Sequence, residues 1–88
     1  MIDYSKYNLD NDDLEFICTL KNDVVNQNEI RLQYKGISFV LQPSGDEILV
    51  YAHNCVLERY KSFDDLLLRH KINDVAMIDL IPELDFAD

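Results

Sequence analysis

Eight Lys and Arg in 88 residues are few, and they face seventeen Asp and Glu, for a formal net charge of −9. Nucleic acid backbones and anionic membrane surfaces are bound through clustered Lys and Arg, so direct binding to either is disfavoured. There is no Trp, and the two glycines, Gly36 and Gly45, are well separated. A glycine-rich phosphate loop is thereby excluded. Two Pro and no repeat argue against a fibrous or low-complexity chain. No stretch of about 18 apolar residues occurs, and the N-terminus has no apolar run after a basic start, so neither a membrane span nor a signal peptide is expected. A cytoplasmic protein is the expectation. Only two cysteines are present, Cys18 and Cys55. In a cytoplasmic chain they are expected to be buried free thiols rather than a disulfide.

A 48% apolar content is enough for one core, and 88 residues make a single domain, residues 1–88. The acid is unevenly placed. Residues 1–15 hold Asp3, Asp10, Asp12, Asp13 and Glu15 against Lys6, a net −4; residues 74–88 hold Asp74, Asp79, Glu83, Asp85 and Asp88 against no base, a net −5. The intervening charges cancel, so the whole excess belongs to the two terminal segments.

Residues 12–25 carry a mixed signal. Leu14, Phe16, Cys18 and Leu20 alternate as in a strand, while Leu14, Ile17, Cys18, Leu20, Val24 and Val25 share one helical arc. Ile17 breaks the alternation. Asn11 or Asp12 can cap a helix there, and the early carboxylates suit its positive end, so helix is favoured. Glu29 to Lys35 is a clear strand, with Ile30, Leu32 and Tyr34 alternating with charged and polar residues. A turn at Lys35-Gly36 into a strand over 37–42 places Tyr34 opposite Ile37, Leu32 opposite Phe39 and Ile30 opposite Leu41. A second turn, Pro43-Ser44-Gly45-Asp46, would pair Leu41 with Ile48, Phe39 with Val50 and Ile37 with Ala52. That register also pairs Val40 with Leu49 on the other face, with Tyr51 nearby. This second face is expected to be covered by the chain's own ends; the alternative is contact with another molecule.

Val56 to Tyr60 adds a short fourth strand with poor alternation. Ser62-Phe63-Asp64-Asp65 has a capping-box layout ahead of Phe63, Leu66, Leu67 and His70. Asn73 can cap a second short helix with Val75, Ile78 and Ile81 as its apolar stripe, stopped by Pro82. Leu84 and Phe86 alternate with Glu83 and Asp85, as in an edge segment. The fold class expected is therefore α+β: an N-terminal helix, an antiparallel three- to four-stranded meander and two short C-terminal helices.

The order of helix, Ile30-x-Leu32-x-Tyr34-x-Gly36-x-x-Phe39-x-Leu41 hairpin, Ser62-Phe63-Asp64-Asp65-Leu66-Leu67 and Ile72-x-Asp74 resembles a loose group of small acidic proteins of Gram-positive bacteria and their phages or mobile elements. Where that pattern often has Gly two residues after Ile72, this chain has Asp74. The group brings no catalytic residues, so the resemblance implies a fold and a mobile-element setting.

Candidate chemistry is sparse. His53 and Cys55 are two apart on a strand with no orienting third group, and His70 lies on an apolar stripe near a helix end, where a packed or capping imidazole is the ordinary role. Cys18, His53, Cys55 and His70 lack the close pairs of a zinc site. Asp10-Asn11-Asp12-Asp13 followed by Glu15 lacks the glycine and terminal bidentate Glu of a calcium loop. Asp64 and Asp65 are neighbours in a first helical turn, and capping accounts for one of them. No catalytic residue, metal ligand or cofactor is assigned, and the chain is expected not to be an enzyme.

Surface is what remains. Asp outnumbers Glu twelve to five, which holds the charge close to the backbone. A fixed array of carboxylates can stand in for phosphates before a basic groove and speeds encounter with it. Phage and mobile-element proteins that block host nucleases, anti-CRISPR proteins among them, use this physics. The function expected is thus a non-catalytic binding protein or inhibitor, a DNA mimic engaging a basic surface of a nucleic-acid-handling protein. Its binding residues would be Asp10, Asp12, Asp13, Glu15, Asp79, Glu83, Asp85 and Asp88. The alternative is a homo-oligomeric or accessory domain that uses Val40, Leu49 and Tyr51.

Overall fold

Residues 2–52 and 55–87 are described by a computed structural model, and they form an α+β fold. After a 3-10 turn at Tyr4–Lys6, helix α1 spans Asn11–Val25. Its cap is Asp10, not Asn11 or Asp12. The Asp10 carboxylate accepts the Asp13 N–H at 2.9 Å, and the Asp13 carboxylate accepts the Asp10 N–H at 3.0 Å. This reciprocal box satisfies two orphan donors, and the partly buried Leu9 and Leu14 flank it in the positions of a hydrophobic staple. The helical reading of 12–25 holds because Ile17 and Leu20, three apart, are the residues driven into the core. Cys18 is exposed instead.

The end of α1 is a Schellman motif built without glycine. Gln27 takes φ +61°, its N–H bonds to Val24 O, and Asn28 N–H bonds to Asp23 O at 2.8 Å. A left-handed residue with a Cβ costs about 1–2 kcal/mol. The Gln27 side chain returns something: its Oε1 accepts Gly45 N–H at 2.9 Å, and its Nε2 donates to Gly45 O and Val24 O, each at 3.2 Å.

Strands β1 (Ile30–Tyr34) and β2 (Ile37–Ser44) pair in the expected register, Ile30 with Leu41, Leu32 with Phe39 and Tyr34 with Ile37. Lys35 and Gly36 both have positive φ, +46° and +84°, as a type I′ turn requires. Ile37, at the mouth of this turn, is exposed rather than buried.

The next register differs by two residues. Strand β3 (Glu47–Ala52) pairs Ser44 with Glu47, Pro43 with Ile48, Leu41 with Val50 and Val40 with Tyr51. Only Gly45-Asp46 forms the loop, with Gly45 alone at positive φ, +62°, the type II′ arrangement whose twist suits a hairpin. Pro43 is a strand residue, tolerated because β2 there runs past Ile30, the end of β1. A shift of two keeps every inward side chain inward, since strand periodicity is two. For that reason Phe39, Leu41, Ile48 and Val50 are all buried despite the altered partners.

Strand β4 (Cys55–Tyr60) pairs with β3 through a bulge: Val50 faces Glu58 but Tyr51 faces Val56, leaving Leu57 extra. The poor alternation of this stretch is that bulge. Helix α2 (Phe63–Arg69) follows, capped by Ser62 Oγ, which accepts Asp65 N–H at 3.0 Å. Asp65 accepts from Lys61 N–H rather than from the cap residue. Asn73 caps no helix. It and Asp74, φ +53° and +67°, form the turn between two short strands, β5 (Lys71–Ile72) and β6 (Val75–Ala76). Asn and Asp are the non-glycine residues that best tolerate that conformation, which explains Asp74 where glycine would also serve. Helix α3 is then only Met77–Leu80, and Pro82 sits inside a 3-10 turn, Ile81–Glu83. Val75 is exposed, so the stripe is Met77, Ile78, Leu80 and Ile81.

The tail does dock as an edge: β7 (Asp85–Phe86) pairs with β1, Leu32 opposite Phe86, and Ala87 N–H bonds to Arg31 O. The main sheet runs β4-β3-β2-β1-β7, five strands instead of three or four. The helices cover one face, closing a core in which Leu20, Leu32, Leu41, Leu66, Leu67 and Met77 are fully buried. Each such side chain contributes about 1.5–3 kcal/mol.

Candidate interaction surfaces

The acidic residues fall into distinct roles. Asp10 and Asp13 are occupied by the α1 cap. Glu83 Oε1 lies 3.4 Å from Lys35 Nζ and raises the pKa of that ammonium by hydrogen bond and charge. Asp12, Glu15, Asp79 and Asp85 are exposed and make no ion pair among the described residues; Asp88 lies outside those residues. The other ion pairs, Arg31–Glu29 at 3.5 Å and Arg69–Asp65 at 3.4 Å, are also at the surface, where such pairs contribute little.

The two acidic ends meet. Phe16 on α1 and Phe86 on β7 stack with ring centroids 4.8 Å apart, and α1 packs against the Ile81–Glu83 turn. At 3.6 residues per turn, Asp12 lies on the same flank of α1 as Phe16, beside that contact, and so does the half-buried Asp23, which sequence reasoning passed over. Glu15 points away on the outer face of the helix. The sheet divides the rest: Phe86, opposite the buried Leu32, faces the helices, while Asp85, opposite Gln33, faces the other side. Asp79 stands on α3, which packs chiefly on α2. The structure therefore joins the α1 start to the C-terminal segment but spreads its carboxylates around the β7 edge.

Among the described residues no helix or strand covers the second sheet face. Ile2, Tyr4, Tyr7 and Leu9 pack on the core side, while Asp85 and Ala87 lie at the β1 edge of the open face. Burial, with the nearby Asp64 and Cys18, raises the Tyr4 phenol pKa. The expected pairing of Val40 with Leu49 is replaced by two rows: Val40, Tyr51 and Val56 across β2, β3 and β4, and Gln42, Leu49 and Arg59 beside it. Val40, Leu49 and Tyr51 are each half-buried by their neighbours. Val40 and Tyr51, but not Leu49, line a trough of about 690 Å³ together with Glu29, Arg31 and Ser38. Val56 was missed as part of this row because the bulge hides it from a period-two reading.

His70 is the buried polar residue of the core, 8% exposed, with Nδ1 2.9 Å from Tyr60 Oη and the Phe39 ring alongside. Burial lowers its pKa, and Glu58 opposes this weakly; burial likewise raises that of Tyr60. Cys18 and Cys55 are exposed free thiols, a correction to the buried expectation. His53 lies outside the described residues. Among those residues no three His, Cys, Asp or Glu side chains converge as metal ligands, and no helix is long and apolar enough to cross a membrane.

No family model matches this sequence, and no curated protein or solved structure matches it either.

Proposed function

We propose that this chain is a non-catalytic binding protein whose carboxylates, carried on α1 and on the C-terminal segment that adjoins it, occupy a basic surface on a nucleic-acid-handling protein. The observation that supports this reading is the Phe16–Phe86 contact, which brings helix α1 and the acidic C-terminal segment together. Two clusters of like charge add their potentials within a Debye length, about 8–10 Å at moderate salt, and attract a basic groove that ordinarily takes phosphates. Blocking such a groove is inhibition of the DNA-mimic type, and with a mobile-element setting it becomes interference with host defence, as anti-CRISPR proteins achieve.

The test is titration of the labelled protein against purified DNA-binding nucleases from about 50 to 500 mM salt, with duplex DNA as competitor. Binding should weaken steeply with salt, DNA should displace the protein, and Asp12→Asn with Asp85→Asn should slow association. Salt-independent binding, or binding alongside DNA, would sink the proposal.

A further inference from the structure

We infer that the open face of the sheet is a self-complementary surface that receives a second copy of this chain. Of the acidic ends this inference involves only Asp85, which lies at the edge of the face. The face is close to neutral in a molecule of −9: Arg31 and Arg59 stand against Glu29, Glu47 and Asp85, so two copies meet here without setting acid against acid. Its floor is apolar, with Val40, Tyr51 and Val56 opposite one another across three strands, and Val56 is 44% exposed.

The pattern has two-fold symmetry. Place the axis along the strands, between β2 and β3. Rotation then lays β3 over β2 of the second copy, so Tyr51 covers its Val40 and Val40 is covered by its Tyr51. In the adjoining row, β4 falls over the start of β1, which brings Arg59 over Glu29 of the second copy and repeats that pair at the other end. Glu29 already lies 3.5 Å from Arg31, so its carboxylate sits between two guanidinium groups. The roughly −30° offset between packed sheets is met by inclining the axis slightly to the strands. Tyr51 is the side chain available to fill the trough above Val40.

Size sets the strength. Four strands about 4.8 Å apart and five residues long give a footprint of roughly 300 Å², against the roughly 800 Å² per partner of a standard interface. The dimer is therefore weak and concentration-dependent.

Sedimentation equilibrium of the full chain into the millimolar range tests this. The wild type should pass from monomer to dimer as concentration rises, and Val40→Asp should abolish the dimer with the circular dichroism spectrum unchanged. Arg59→Glu should raise the dissociation constant by about tenfold or more, because each change counts twice in a symmetric interface, and adding Glu29→Arg should restore the dimer. A wild type that stays monomeric throughout, a dimer indifferent to Val40→Asp, or a double charge reversal no better than Arg59→Glu alone each overturns the inference. Failure here leaves the acidic-surface proposal standing, since none of these residues belongs to it.

Discussion

Phe16 and Phe86, seventy positions apart in the chain, lie with ring centroids 4.8 Å apart and planes tilted by 46°. The contact clamps the two-residue β7 between α1 and β1, and so fixes where the C-terminal acid stands. Phe16 is half-buried and Phe86 is 44% exposed, so Phe16→Ala should cost about 1–3 kcal/mol and Phe86→Ala about 1 kcal/mol, less than the 3–5 typical of a core Phe. A double-mutant cycle in urea should give a coupling of about 0.5–1.5 kcal/mol. Hydrogen exchange at the Ala87 amide, bonded to Arg31 O, should accelerate in either variant. Unchanged exchange there would mean that the aromatic pair does not hold the strand.

The carboxylates of α1 are not equivalent. Asp10→Ala removes the acceptor for Asp13 N–H and should destabilise the protein by about 0.5–2 kcal/mol. Asp12→Ala removes only an exposed charge and should stay within about 0.5 kcal/mol. Urea midpoints of the two variants, compared at equal m-value, decide it.

Gln27 ties the end of α1 to the Gly45 turn through both the oxygen and the nitrogen of its side-chain amide. Gln27→Ala keeps the left-handed strain and forfeits those bonds, so a loss of about 1–2 kcal/mol is expected. Gln27→Gly forfeits the same bonds but relieves the φ +61° conformation, and its loss should be smaller by about 1 kcal/mol. Equal losses would show that the backbone conformation carries no cost here.

His70 makes stability depend on pH. Burial holds its folded pKa below the ordinary value of 6.5, so on acidification the unfolded chain takes up the proton first. The stabilising contribution is then full above pH 6.5 and is lost as pH falls from there through the folded pKa. Carboxylate titration overlaps at the acid end, so the informative quantity is the difference between wild type and His70→Gln, which should shrink as pH drops from 7.5 toward 5. A pH-independent difference would contradict a neutral, buried imidazole. Tyr60→Phe leaves Nδ1 without its 2.9 Å partner and should cost about 1–2 kcal/mol at neutral pH.

Much of this architecture is local and was therefore readable along the chain. The β1–β2 register followed from Lys35-Gly36, because a two-residue turn between alternating strands allows one pairing that buries Ile30, Leu32, Phe39 and Leu41 together. Ser62 as a cap is likewise set within three residues. The β2–β3 register was not fixed this way: a slip of two preserves the inward set, so hydrophobic pattern alone is blind to it. The Gln27–Gly45 bonds, formed across eighteen positions, are seen to join the shorter loop. The bulge at Leu57 and the left-handed pair Asn73-Asp74 misled in the same way, each breaking the regular period on which such a reading depends.

For the surfaces the division is similar. Sequence alone determined that the −9 resides in two terminal segments and that Val40, Leu49 and Tyr51 share the face opposite the core, since charge is additive and strand alternation is strict. Tertiary structure decided that the two acidic ends adjoin through Phe16 and Phe86, that Asp10 and Asp13 are spent on a helix cap, and that, among the described residues, the second face stays open. Those outcomes depend on which distant segments pack together, and packing in three dimensions is governed by the total apolar surface each arrangement buries, a quantity no window of sequence contains.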